Sequence, residues 1–241
     1  MTTVSKRCAV VGPGRMGSAI AASLRAANWQ VDGPYGRGDR PVADIVLLCV
    51  PDSEIAAAAA AIEPRPGLSV GHVSGATTLA PLAPHSAFSL HPLMTVTGSD
   101  ADFVGVPAAV AGSDTSAHDA ATAIVEALGL VPFEVADSHR AAYHAGASVA
   151  SNYLLALLDA AEEISGLDSE QLAPLVEATI AGWRTKGARQ ALTGPVARGD
   201  QATVSRQRSA VIESAPELTP AFDALTDLTR RLAESSQKVA A

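Results

Sequence analysis

The chain has 241 residues, enough to bury a sizeable core in one or two domains. Its 25 acidic residues outnumber its 17 basic ones, and the net charge of −8 argues against nucleic acid or an anionic membrane surface as the main partner. The only two cysteines, Cys8 and Cys49, sit in apolar strand-like runs and read as buried, reduced thiols rather than a disulfide framework. With no signal-peptide pattern at the start, the expected location is the cytoplasm.

The first predicted strand, 7–11, runs into Gly12-Pro13-Gly14-Arg15-Met16-Gly17, and a helical pattern follows to about Ala27. Strand, glycine turn and helix with G-x-G-x-x-G spacing is the arrangement that binds a dinucleotide pyrophosphate. Gly12 makes the turn, Gly14 lets phosphate approach the backbone, and Gly17 lets helix and strand pack closely. The N–H groups and positive dipole end of the helix then face the phosphates.

The second strand, about 29–35, ends in Tyr35-Gly36-Arg37. An acidic residue at this strand tip suits NAD, whereas an arginine suits the 2′-phosphate of NADP. Asp32 falls inside the strand and Arg37 at its tip, so the expected cofactor is NADP (NADPH), with NAD the weaker candidate. Only 41–43 separate Arg40 from the next strand, 44–50. The helix and strand usual at this point are missing, which predicts a second strand near the sheet edge and an adenosine pocket short of one wall. Strand 44–50 is continuously apolar after its first residue, as a doubly covered parallel strand should be. Its end, Val50-Pro51, is a candidate to flank the cofactor.

A helix to about Ile62 follows, then strands at 68–73, 87–90 and 106–111, a helix at 115–128 and a strand at 131–135. After Asp137-Ser138 no strand pattern returns. Helices are expected to Ser165, from Ser169 to Gly187 with Asp168 as cap, from Gln201 to Ser214, and from Thr219 as cap with Pro220 at the first helical position. The apolar run 141–161 approaches membrane length, but His144, Ser148, Ser151, Asn152 and Asp159 interrupt it, so it reads as a buried helix. The fold class is therefore α/β: a Rossmann-type parallel sheet domain, 1–137, shortened after strand 2, followed by an all-α domain, 138–241.

Ser74 and His91 stand at successive strand ends, where one can bond a carbonyl or the nicotinamide amide and the other can donate a proton. His144, Ser148 and Asn152 recur every four residues, giving a polar stripe on an apolar helix that a substrate cleft between domains would satisfy. Arg198, in the loop 192–200, is a candidate clamp for a substrate carboxylate. Plainer readings stay open: a turn serine, a structural histidine, interhelical or dimer contacts for the stripe, a surface arginine. No metal site is expected, because the six histidines show neither H-E-x-x-H spacing nor a cysteine pair.

Taken together, the glycine turn, Tyr35-Gly36-Arg37, Val50-Pro51-Asp52, Ser74-Gly75-Ala76, His91-Pro92, Tyr143-His144, Ser151-Asn152-Tyr153, Leu192-Thr193-Gly194-Pro195 and Arg198-Gly199-Asp200 carry a resemblance. The sequence resembles the Rossmann-like family with a C-terminal helical domain of unknown function, which includes alternative (PanG-type) ketopantoate reductases. More distantly it resembles pyrroline-5-carboxylate reductase and β-hydroxyacid dehydrogenases. The resemblance implies an NADP-dependent oxidoreductase that reduces a small ketoacid or imine, 2-dehydropantoate foremost, and a homodimer through the helical halves. Ser148 stands where β-hydroxyacid dehydrogenases carry a lysine, so His144 or His91 would have to supply the proton. The alternative is a non-catalytic NADP(H)-binding sensor or dimeric scaffold.

Overall fold

A computed structural model describes residues 7–237, with side chains through 234. Its first unit is a seven-stranded sheet of order β2-β1-β3-β4-β5-β6-β7. The strands are β1 (Arg7–Val11), β2 (Gln30–Tyr35), β3 (Ile45–Leu48), β4 (Ser69–His72), β5 (Ser86–Pro92), β6 (Pro107–Gly112) and β7 (Val131–Glu134). Helices α1 (Arg15–Ala26), α2 (Ile55–Ala60) and α3 (Thr115–Leu128) connect them, and α4 (Arg140–Ala150) follows β7.

Alternation along the strands sends successive side chains to opposite faces. Cys8, Val10, Ile45 and Leu47 join Ile20, Leu24 and Ile124 on one side. Ala9, Val46 and Leu48 join Ile55 and Leu82 on the other. Covering on both faces explains the unbroken apolar run in β3. β2 is the edge strand, as the short 41–43 link predicts.

The sheet departs from an all-parallel one at a single pairing: β6 runs antiparallel to β5, with His91 opposite Ala109. No helix lies between these two strands, and a parallel pair needs a long crossover that this segment does not supply. The α3 crossover then sets β7 parallel to β6. Asp114 caps α3 through Ala117 N–H at 2.9 Å, and Gly129 closes it at φ +68°.

By its internal contacts the chain divides after Ser151: the segment that includes α4 goes with the sheet unit, and the second unit begins at Asn152. Ser151 has φ −123° and ψ −75°, which divides the expected long helix into α4 and α5 (Asn152–Ser165). Consequently His144, Ser148 and Asn152 do not share one continuous helical stripe. α6 (Ser169–Ala191) opens with the expected Asp168 cap, reinforced by Gln171 in a capping box, and passes its expected end at Gly187 with a local break at φ +74°. α7 (Gln201–Ser214) and α8 (Thr219–Gln237) complete the unit, with α5 on α6 and α7, and α8 on α6 and α7. Thr219 is not a cap: its dihedrals are already helical and its buried hydroxyl has no partner among the described residues. A short turn, Pro216–Leu218, leads directly into the helix instead. Among the described residues no helix is long and apolar enough to cross a membrane.

Candidate active site

The chain leaves β1 and passes to β2 on one side, then returns to β3 on the other. The crevice at such a reversal, outside the carboxyl strand ends, is where open α/β sheets take ligands. Two bonds fix its floor: Gly12 N–H donates to Tyr35 O at 2.8 Å, and Cys49 N–H donates to Val11 O at 2.7 Å. Gly12 sits at φ +109°, and a Cβ there would lie 2.3 Å from the Cys49 carbonyl oxygen. A Cβ on Gly17 would meet Gly12 O at 2.0 Å. Gly14 is different, with nothing within 4 Å of the place a Cβ would occupy. Gly12 and Gly17 are thus required by packing, and Gly14 keeps an approach open. The start of α1 behind it has no side-chain cap and no acidic residue in its first turn, which leaves N–H groups and a positive dipole end for an anion.

A cavity of about 420 Å³ opens here. Gly12, Pro13, Gly14, Arg37, Val50 and Pro51 are among the residues that line it. Arg15, Met16 and Gly17 do not line it. They form the first turn of α1, with Met16 packed on the core and Gly17 buried. Ala57, Ala58 and Ala61 of the α2 segment also line the cavity, together with residues of 35–41. Arg37 is 84% exposed and its guanidinium donates to Glu54 at 2.7 Å, an exposed pair worth little by itself. Asp32 is mid-strand, bonded to Arg7 at 2.7 Å, and does not line the cavity.

Asp52, just after Pro51, connects this cavity to the strand ends of β4 and β5. It accepts the Ser74 hydroxyl proton at 2.7 Å, while the Ser74 oxygen accepts Thr77 N–H at 2.9 Å and Ala76 N–H at 3.2 Å. The Ser74 hydroxyl also lies 3.0 Å from Thr77 Oγ1, so its bonds tie the turn after β4 to Asp52. His72, fully buried, accepts Ser74 N–H on Nδ1 at 3.2 Å and donates from Nε2 to Thr78 O at 3.1 Å.

His91 and His144, two of the expected proton donors, do come together. Their ring centroids are 6.0 Å apart, and both press on Gly75, where a Cβ would lie 2.8 Å from His144 and 2.9 Å from His91. His91 Nδ1 is 2.7 Å from the Tyr143 hydroxyl, and Phe133 meets the Tyr143 ring edge-on. Burial first, then the neighbouring His144, lowers the His91 pKa to about 4. Burial raises that of the Tyr143 phenol. His91 is therefore neutral at physiological pH. The phenol keeps its proton through the physiological range, and Nδ1–H of His91 can donate to its oxygen.

Ser148 lies half-buried one turn beyond His144 on α4. Asn152 and Arg198 belong to the helical unit. There Arg198 is exposed in the loop before Asp200, which caps α7 through Thr203 N–H at 3.0 Å. Among the described residues no group of three or more histidine, cysteine, aspartate or glutamate side chains could hold a metal ion.

His91 also makes stability depend on pH. Its folded-state pKa lies below the unfolded value near 6.5, so as pH falls the unfolded chain takes up the proton first. The stabilisation is whole above about 6.5 and is lost as pH falls towards about 4; His72, also lowered by burial, acts in the same direction. Urea unfolding at pH 7 and 4.5 is expected to show a loss that His91→Gln reduces by about 2 kcal/mol, screening of the partly exposed ring included. Equal losses in both proteins would contradict the assignment.

The sheet order, the crossovers and the glycine turn define a Rossmann-like α/β unit followed by a helical one. A family model, Domain of unknown function (DUF2520), matches residues 106–229, just over half of the chain, and the chain belongs to that family. A Bacteroides fragilis protein provisionally called an NADP oxidoreductase has the same fold, at 17% identity and TM-score 0.80 over 94% of this chain and 98% of its own. A Thermotoga maritima protein matches at 22% identity and TM-score 0.74 over 95% and 99%. A reductive aminase from Aspergillus terreus, solved with NADPH and ethyl levulinate, matches at 15% identity and TM-score 0.69 over 99% and 100%. No curated protein matches the chain.

Proposed function

We propose that the protein is an NADP-dependent oxidoreductase that reduces a small ketoacid or imine, with 2-dehydropantoate the first substrate to test. The observation that carries the proposal is the open face at Gly14, aimed into the 420 Å³ cavity in front of an uncapped helix start. A Cβ would fill that approach, and its absence fits a diphosphate. Gly12, Pro13 and Gly14 would hold the diphosphate, Val50 and Pro51 would flank the nucleotide, and Arg37 would meet a 2′-phosphate. Bound there, the nicotinamide supplies the hydride; the protein supplies position and a proton.

Tyr143 takes the part that the histidines were expected to play. With His91 donating Nδ1–H to the phenol oxygen, the phenolic proton is available to the developing alkoxide or amide of the substrate, and the same N–H then stabilises the phenolate. The reading draws on the first unit alone. Support for a homodimer comes from the helical unit, where Leu155, Leu175 and Trp183 are more than half exposed and α5 and α6 bury no residue fully.

The test is NADPH oxidation against a panel of 2-ketoacids and cyclic imines. Turnover with any of them supports the reading; tight NADPH binding with none would leave the sensor alternative. Arg37→Ala is expected to weaken NADPH binding about tenfold and NADH binding less than twofold, read by nucleotide fluorescence. An unchanged preference would remove Arg37 as the 2′-phosphate contact.

A further inference from the structure

Arg140 is the largest fully buried side chain among the described residues, and the reading above gives it no part. Its Nε donates to Asp137 at 2.9 Å and one terminal nitrogen donates to Ser89 Oγ. The other terminal nitrogen is buried with no partner among the described residues. Arg140, Tyr143 and His144 fall three and four residues apart on α4 and so share one face. Ser89 and His91, two apart on β5, likewise share a face of the sheet. The two elements are thus joined by two polar rungs, Arg140 to Ser89 and Tyr143 to His91.

We infer that Arg140 is a positioning residue, a buried cation clamped to Ser89 that sets α4 on β5 so that the Tyr143 hydroxyl meets His91. The meaning for catalysis rests on the proposed function; the physical claim does not. An apolar side chain of similar length would fill the same space without stranding a nitrogen, so packing alone does not account for a guanidinium. Its counter-charge is incomplete, because Asp137 is 49% exposed while the Arg140 side chain is 1% exposed. The remaining positive field reaches the groups around it. His91 is faced by Arg140, by His144 and Tyr143 on α4, by His72 on β4 and by Asp52 after β3. Arg140 opposes protonation of His91 and His72 and favours ionisation of Tyr143, while Asp137 favours protonation of His72.

The experiment is an NMR titration of the labelled histidine rings in the full-length protein without ligand. Arg140→Met is expected to raise the His91 midpoint by about one pH unit, and Arg140→Lys to restore it towards wild type. Asp137→Asn, at a half-exposed position, is expected to lower the His72 midpoint. A His91 midpoint in folded Arg140→Met that stays at the wild-type value overturns the inference. If Arg140→Met does not fold, Ser89→Ala decides, because it removes the oxygen that the guanidinium clamps: a displaced His91 midpoint sustains the inference, and a midpoint at the wild-type value overturns it. These shifts in a protein that reduces no ketoacid or imine would sustain the inference and end the proposed function instead.

Discussion

Gly14→Ala is expected to leave thermal stability nearly unchanged and to weaken NADPH binding at least tenfold. The position is free of neighbours within 4 Å, so a methyl group costs the fold little. Alanine there also lowers the entropy of the unfolded chain, which offsets part of any strain. A ligand at the same place meets that methyl where the phosphate would lie. Gly12→Ala should do the reverse: its Cβ meets the Cys49 carbonyl oxygen at 2.3 Å, at a φ of +109°. Left-handed strain and overpacking together are expected to cost about 3 kcal/mol. Melting curves and fluorescence titrations of both variants check the pair. Equal binding by wild type and Gly14→Ala would show that the open face at Gly14 is not where phosphate sits.

Tyr143→Phe is expected to slow NADPH-dependent reduction by about 10² to 10³ while moving nucleotide affinity less than twofold. The loss is placed on the rate because the phenol gives a proton and does not line the nucleotide cavity. The pH profile is informative here. A His91 with its pKa near 4 contributes no inflection around 6.5, and a phenol raised above its ordinary value stays protonated past neutrality. Wild-type rates are therefore expected to hold level from about pH 6 to 9 and to fall only as the phenol ionises. A descending limb near 6.5 would return the proton to a histidine cation.

The first third of the fold was legible because its constraints are local. Glycine spacing, strand run and helix pattern in 7–26 each follow from a few consecutive residues, and the short 41–43 link was enough to place β2 at the edge. The α3 and α7 bounds, 115–128 and 201–214, matched because Asp114 and Asp200 announce their starts. The antiparallel turn of β6 was not legible, because strand composition does not encode direction. Nor was the break at Ser151, where Ser151-Asn152 interrupts the apolar run without the glycine or proline that would mark a helix end.

In the candidate site the sequence brought His91 forward by its place at a strand end and His144 by its four-residue spacing, and the two rings do meet. Their charge states were hidden, since burial and neighbours decide them. The bond from Ser74 to Asp52 was out of reach of the sequence, because the two lie 22 residues apart. Tyr143 was visible beside His144 and was given no role, since only the fold shows it against His91. Arg140 went unread, although its spacing of three and four residues from Tyr143 and His144 was a signal within reach. An arginine in an alanine-rich helix looks like a solvated charge until its burial is known.

A crystal structure grown with NADPH tests the central claim most directly. The expected result is density for the diphosphate against the backbone of Gly12–Gly14 at the start of α1, with the 2′-phosphate beside Arg37. A nucleotide bound elsewhere on the protein, with the glycine turn empty, would contradict it.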